Sequence, residues 1–182
     1  VGAHVVLNDY KPVTLPADEE KRLVSAGVDI ITGRQDESLL DGVDRIVISP
    51  GISLDIPIVK AAQARGIDVV SEVEVAYELS KSPIVAVTGT NGKTTTTTLL
   101  TKVLEGTGKP VRVGGNIGDS LSEVAYSMPA DGFLVAELSS YQLETIKHFR
   151  PIGAIMLNIT PDHLARHKTM ENYIAAKERI FE

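Results

Sequence analysis

The sequence predicts an α/β protein made of two successive units with parallel sheets, and three observations carry that expectation. Short runs rich in Val, Ile and Leu alternate with helical patterns along the whole chain, an order that pairs strands in parallel and winds helices around a sheet. The aromatics are five Tyr, three Phe and no Trp, so aliphatic side chains fill the core, as parallel sheets favour. The polar stretch Ser80-Lys81-Ser82-Pro83 breaks the alternation and marks a boundary, giving domains over residues 1–81 and 82–182 of the 182-residue chain.

In the first unit, residues 4–9 read as a buried strand ending in Asp9. A strand so near residue 1 leads to the expectation that an earlier strand and helix are missing. A helix is expected over residues 17–26, with Asp18, Glu19 and Glu20 in its first turn, where the helix dipole favours acids. Gly27 then stops it. Strands at 28–32 and 45–49 follow, the second running into the sharp turn Ser49-Pro50-Gly51. A helix over 58–65, stopped by Gly66, leads to a strand at 68–70 and a helix at 72–79. The pattern is that of a doubly wound parallel sheet.

The second unit opens with a strand at 84–88, a glycine-rich loop and a helix over 93–105. Five threonines at 94–98 are poor helix formers, so an apolar stripe of Leu99, Leu100, Val103 and Leu104 is expected to hold that helix down. A strand at 110–113, a loop at 114–118, a helix at 119–126 and strands at 133–137 and 153–158 come next. A final helix is expected over 170–182, with Asn172 and Lys177 on its polar side.

Net charge is −6 with a pI of about 5.3, which argues against broad electrostatic capture of nucleic acid. The chain has no cysteine, so disulfides and thiolate metal sites are excluded. No apolar run approaches the roughly 20 residues of a membrane span, and no charged-then-apolar leader opens the chain. A cytoplasmic monomer without nucleic-acid or membrane partners is the resulting expectation.

Gly89-Thr90-Asn91-Gly92-Lys93-Thr94-Thr95 joins a strand to a helix N-terminus. Backbone N–H groups there, with the positive helix end, hold phosphate oxygens. The two glycines permit positive φ and close approach of a ligand. Lys93 adds a cation for the β- and γ-phosphates of ATP, and the Thr94 hydroxyl is a Mg²⁺ ligand candidate. The usual pattern has four residues between its first glycine and Gly-Lys, whereas position 87 is Val and Gly89 stands two residues before Gly92. The competing reading is a plain glycine turn with a surface lysine, and the strand–loop–helix order favours phosphate binding.

Further candidates lie at strand ends, where open α/β sheets bind ligands. Glu137, in Glu137-Leu-Ser139-Ser-Tyr-Gln142, is placed either to hold Mg²⁺ or to cap a helix. His163, in Asn158-Ile-Thr-Pro-Asp162-His163, is either an imidazole ligand beside a carboxylate or a structural histidine. Lys177 reads by itself as a surface lysine. Gly114-Gly115-Asn116-Ile117-Gly118 lacks the spacing and downstream acid of a dinucleotide fingerprint, which argues against NAD.

Taken together, Gly89–Thr95, Gly115–Gly118, Glu137–Leu143, Asn158–His163 and Ala175-Ala176-Lys177 resemble the Mur ligases, which build the peptide stem of bacterial peptidoglycan. The Glu-Leu-Ser-Ser-Tyr-Gln-Leu segment is most similar to the branch that adds D-glutamate to UDP-N-acetylmuramoyl-L-alanine. Branches adding other amino acids, and folylpolyglutamate synthases, look different there. The resemblance extends over the whole chain. It implies an incomplete Rossmann-like domain for the UDP substrate followed by an incomplete P-loop α/β ATPase domain. It also implies that Lys93 and the loop amides hold ATP, that Thr94 and Glu137 hold one Mg²⁺, and that His163 and a carbamylated Lys177 hold a second. Asn116, Ser139 and Gln142 match positions near the muramoyl diphosphate, and Asp9, Lys11, Ser49 and Gly51 match the uridine pocket. Ala165 departs from the family, which often has Asp there. The resemblance implies a ligase that forms an amide through an acyl phosphate. The rest of its ATPase domain and its C-terminal domain are expected to lie beyond residue 182, so the 182-residue chain alone is expected to bind without turnover.

Overall fold

Eight strands and eight α-helices alternate through residues 2–182, the part of the chain described by the computed structural model. Contacts divide the chain into two compact units, one reaching to Asp44 and including Asp55–Ile67, the other made of Arg45–Leu54 and Asp68–Glu182. These two units therefore interleave along the chain.

In the first unit, β1 (Val5–Asp9) pairs in parallel with β2 (Val28–Thr32). The expected burial of β1 is not observed: Val5, Val6 and Leu7 are exposed. Its ladder has two strands, so nothing like a doubly covered sheet surrounds it. Helix α1 (Ala17–Ser25) carries its three acids in the first turn and gives way to Gly27 at φ +81°. A 3₁₀ turn at Glu37–Leu40, unanticipated from the sequence, is capped by Asp36. Helix α2 (Pro57–Ala64) begins with proline at its first turn, where the missing N–H costs nothing.

In the second unit, β3 (Arg45–Ile48) pairs in parallel with β4 (Asp68–Ser71). The early strands thus form two two-stranded ladders in place of one doubly wound sheet. Helix α3 (Glu72–Leu79) buries Val73 and Ala76 in the core. Its Glu74 is fully buried and accepts backbone N–H groups from Lys147, His148 and Phe149, enough donors to offset a carboxylate's lost hydration.

The main sheet holds β5 (Ile84–Thr88), β6 (Val111–Gly115), β7 (Phe133–Glu137) and β8 (Gly153–Met156) in the order β6-β7-β5-β8, all parallel. Central β5 and β7 read as continuous apolar runs because both faces are covered. Helix α5 (Leu121–Ser127), capped by Ser120, packs Leu121, Val124 and Ala125 into the same core.

Helix α4 (Lys93–Glu105) forms over its predicted span, but of its predicted apolar stripe only Leu100 and Leu104 are covered. Leu99 and Val103 are each 63% exposed. The covered positions are Lys93, Thr96, Thr97, Leu100, Thr101 and Leu104, a three-and-four spacing along one face. Thr96, Thr97 and Thr101 supply half of that face, so small side chains let the helix lie close to β6 and β7. Two single-turn helices, α6 (Ser140–Leu143) and α7 (Leu164–His167), are too short for periodicity to reveal. Helix α8 (Met170–Glu178) ends earlier than expected and passes into a 3₁₀ turn at Arg179–Phe181.

Candidate functional site

The parallel arrangement sends the C-terminal ends of four strands to one edge, and most of the predicted site residues follow those ends. The Gly89–Gly92 loop leaves β5, Asn116 follows β6, Glu137 ends β7 and Asn158 lies just past β8. Strand register places Val87 and Gly115 opposite Glu137.

The loop is shaped by its neighbours. Gly89 lies at φ +146°, and a Cβ there would stand 3.1 Å from Leu157 Cβ. Thr90 N–H donates to Asn158 O at 2.9 Å, while Asn91 N–H and Asn158 Oδ1 stand 3.0 Å apart. Asn158 Nδ2 returns a bond to Asn91 O. The Thr90 hydroxyl lies 3.0 Å from the Tyr173 hydroxyl of α8. Gly92, at φ +84°, begins α4, and no side chain caps that helix end. Its first-turn amides are thus open to an outside anion. Lys93 folds back onto the carbonyls of Gly89 and Thr90 at 3.0 and 2.9 Å, while Thr95 is exposed.

Glu137 is 1% exposed. It accepts the Thr94 hydroxyl at 2.9 Å on one oxygen and Asn116 Nδ2 at 2.9 Å on the other. Asn116 N–H also donates to the Glu137 carbonyl. That approach depends on Gly115, because a Cβ there would lie 2.5 Å from Glu137 O. A hydroxyl beside a carboxylate is a hard-oxygen donor set, which suits Mg²⁺ held by a few protein oxygens with phosphate and water completing the shell. Among the described residues no three His, Cys, Asp or Glu side chains converge, so such an ion would depend on oxygens from its ligand.

Lys177 departs most from its isolated reading as a surface lysine. It is 1% exposed and donates to Gly89 O at 2.9 Å and Thr88 Oγ1 at 3.3 Å, with its ammonium 4.9 Å from the centre of the Tyr173 ring. Burial, with Lys93 nearby as a smaller cause, lowers its pKa to about 8. As an ammonium it does not suit a cation site; as a carbamate it would present anionic oxygen. His163 N-caps α7, is half-exposed and lies 3.4 Å from Asp162. Its ring neighbours are Tyr141 and Tyr173.

Ser139 and Gln142 satisfy each other in a capping box, with Ser139 N–H and hydroxyl both donating to Gln142 Oε1. That spacing was readable as a helix start. Asp9 and Lys11 share a turn in the first unit, Lys11 N–H donating to Asp9 Oδ1 at 2.8 Å. Ser49 and Gly51 are exposed in the other unit. Sequence reasoning missed Tyr173 and the Glu144–Arg166–His167 cluster, because their partners are distant in sequence.

Residues 87–182 match the Mur ligase middle domain and residues 9–71 the Mur ligase MurD-like N-terminal domain. A protein of Thermoanaerobacter sp. (strain X514), named UDP-N-acetylmuramoylalanine--D-glutamate ligase, is 49% identical over 99% of this chain and 40% of its own length. The protein of the same name from Halalkalibacterium halodurans is 47% identical over the whole chain and 40% of its own length. The chain therefore spans about 40% of the length of these curated relatives. The solved UDP-N-acetylmuramate:L-alanyl-gamma-D-glutamyl-meso-diaminopimelate ligase from Neisseria meningitides superposes with a TM-score of 0.57 at 23% identity, covering 97% of this chain and 59% of that one, a likeness of fold. With the middle-domain match spanning more than half its length, the chain belongs to the Mur ligase family.

Proposed function

We propose that this chain is the substrate-side and nucleotide-side portion of an ATP-dependent ligase that joins D-glutamate to UDP-N-acetylmuramoyl-L-alanine in peptidoglycan precursor synthesis. The observation that carries the nucleotide half is the Thr94–Glu137 pair, 2.9 Å apart beside the uncapped N-terminus of α4. The relatives' printed name supports the acceptor and donor. The domain matches support residues 1–81 as the UDP-substrate domain and 82–182 as the start of the ATPase domain.

An amide does not form from a free carboxylate because hydroxide leaves poorly. Transfer of the ATP γ-phosphoryl group to the L-alanyl carboxylate gives an acyl phosphate and ADP. The D-glutamate amine then attacks the acyl carbon, and phosphate departs. In this scheme the α4 amides and Lys93 orient the β- and γ-phosphates. Thr94 and Glu137 would hold one Mg²⁺, and His163 with carbamylated Lys177 a second. When bound, these ions neutralise charge on the transferring group. Asn116 keeps Glu137 aimed; Ser139, which caps α6, and Gln142 within it would meet the muramoyl diphosphate. Asp9, Lys11, Ser49 and Gly51 would contact uridine. Among the described residues no helix is long and apolar enough to cross a membrane. A cytoplasmic monomer acting on a nucleotide sugar is part of the same proposal.

The complete protein, offered ATP, Mg²⁺ and UDP-N-acetylmuramoyl-L-alanine with D-glutamate, L-lysine or diaminopimelate, tests the assignment through ADP release and product mass. ADP release dependent on another amino acid assigns a different branch of the family. Calorimetry of the 182-residue chain with ATP and with the UDP-sugar separates ligand binding from turnover. ADP formation by that chain alone would show that it needs nothing further.

A further inference from the structure

The turn that carries His163 is held in a backbone conformation its residues disfavour. His163 at φ 54° and Lys168 at φ 72° are the non-glycine residues with positive φ among those described, and they bracket α7. Positive φ is disfavoured for a residue with a side chain and persists where the surroundings over-determine it.

Those surroundings converge on one carboxylate. Glu144, which follows α6, accepts from Arg166 Nη2 at 2.7 Å and Nε at 3.4 Å. The same carboxylate stands 3.3 Å from His167 Nδ1. Arg166 also donates to Ile52 O at 2.8 Å and lies over the Tyr141 ring. His167 Nε2 lies 2.9 Å from Ser140 Oγ, and its ring packs against Tyr141 and Tyr173.

The Ser140–His167–Glu144 spacing is that of a serine nucleophile relay. With Ser140 only 1% exposed, the hydroxyl is closed to substrate and the chain of bonds serves position. Arg166 and Glu144 are themselves mostly covered, so losing one partner leaves the other's charge uncompensated. Through His167 the cluster touches Tyr173, whose hydroxyl meets Thr90 of the phosphate loop.

We propose that Glu144 is a positioning residue: through Arg166 and His167 it clamps α7 and so presents the His163 imidazole to the nucleotide site. The proposal rests on the reading of His163 as a ligand of the second cation.

The test uses the complete protein with a non-hydrolysable ATP analogue and Mn²⁺ as an EPR-visible probe, with melting temperature recorded alongside. Glu144→Gln is expected to weaken binding of the second Mn²⁺ about tenfold, the usual scale for a group that orients a metal ligand. In a His163→Ala background the same change is expected to add less than about twofold, because the two act as one unit. Arg166→Lys, which keeps the charge and loses the forked contact, carries the same expectation if Glu144→Gln does not fold. Independent, multiplicative losses in the double variant overturn the positioning role, as does a lowered melting temperature with unchanged Mn²⁺ affinity. Unchanged affinity in His163→Ala alone is a separate signature: it removes the ligand reading and the proposal built on it.

Discussion

Lys93 and Lys177 share one acceptor: both ammonium nitrogens donate to the carbonyl oxygen of Gly89, at 3.0 and 2.9 Å. One comes from the first residue of α4 and the other from α8. Two cations on one oxygen repel, and the burial of Lys177 makes its charge costlier still.

The shared acceptor predicts a pH effect on stability. The unfolded lysine titrates near its ordinary value of about 10.4, whereas the folded one titrates at about 8. Below pH 8 both states carry the proton, so the cost of the buried cation is fully present. As pH rises from 8 towards 10.5 the folded chain releases it first, and stability rises relative to a Lys177→Met variant. The relative gain between pH 7.5 and 9.5 is expected to be about 1–2 kcal/mol by linkage, read by denaturant unfolding of both chains. An identical pH response in the two would show that Lys177 is not perturbed.

A lowered pKa also prepares carbamylation, because CO₂ adds to the neutral amine. With a pKa of about 8, about a tenth of the side chain is neutral at pH 7. In the complete enzyme, Lys177→Ala is expected to cut ADP release about 100-fold or more, the scale of losing a ligand-orienting or charge-stabilising group. Short-chain carboxylic acids should partly restore it. Unchanged activity would remove the metal-ligand role.

Glu137 joins Thr94 to Asn116 through opposite carboxylate oxygens. Glu137→Gln preserves shape and removes charge, so melting temperature should move little while turnover falls about 10- to 100-fold. A large thermal loss with normal turnover in the surviving fold would make Glu137 purely structural.

Gly115 and Gly118 separate conformational strain from collision. Both lie at positive φ, but a Cβ on Gly115 meets Glu137 O at 2.5 Å, whereas on Gly118 the nearest atom is Val113 O at 3.8 Å. Gly118→Ala is expected to cost about 1 kcal/mol, from its backbone alone. Gly115→Ala should cost about 3 kcal/mol or more, since the β6 end must also move. Chemical denaturation compares them directly.

Thr97 is fully buried on α4 and its hydroxyl has no hydrogen-bond partner among the described residues. Thr97→Val keeps the branching and removes that cost, so it is expected to stabilise by about 1 kcal/mol. Leu99→Ala, at an exposed position of the same helix, should stay within about 0.5 kcal/mol of the parent.

Legibility differed by range. The bounds of the β5–loop–α4 segment were readable, since a continuous apolar run, glycines and a helix start are decided within a few positions. The face of α4 was not. Threonine reads as a weak helix former, while its value here lies in fitting close beneath β6 and β7. The exposure of β1 was equally hidden, because an apolar run does not report how many strands will pair with it.

From sequence alone came the order of the strands and longer helices, the glycine-rich loop between β5 and α4 and the motifs that point to the family, all of them properties of short segments and of their order. Tertiary structure alone decided that Lys177 is buried against Gly89, 88 residues away, that Tyr173 meets Thr90, and that Glu144 holds both Arg166 and His167. The physical reason is distance along the chain. Helical periodicity says which residues share a face, but whether that face meets water or another element depends on parallel strands delivering their ends to one edge and on α8 docking there.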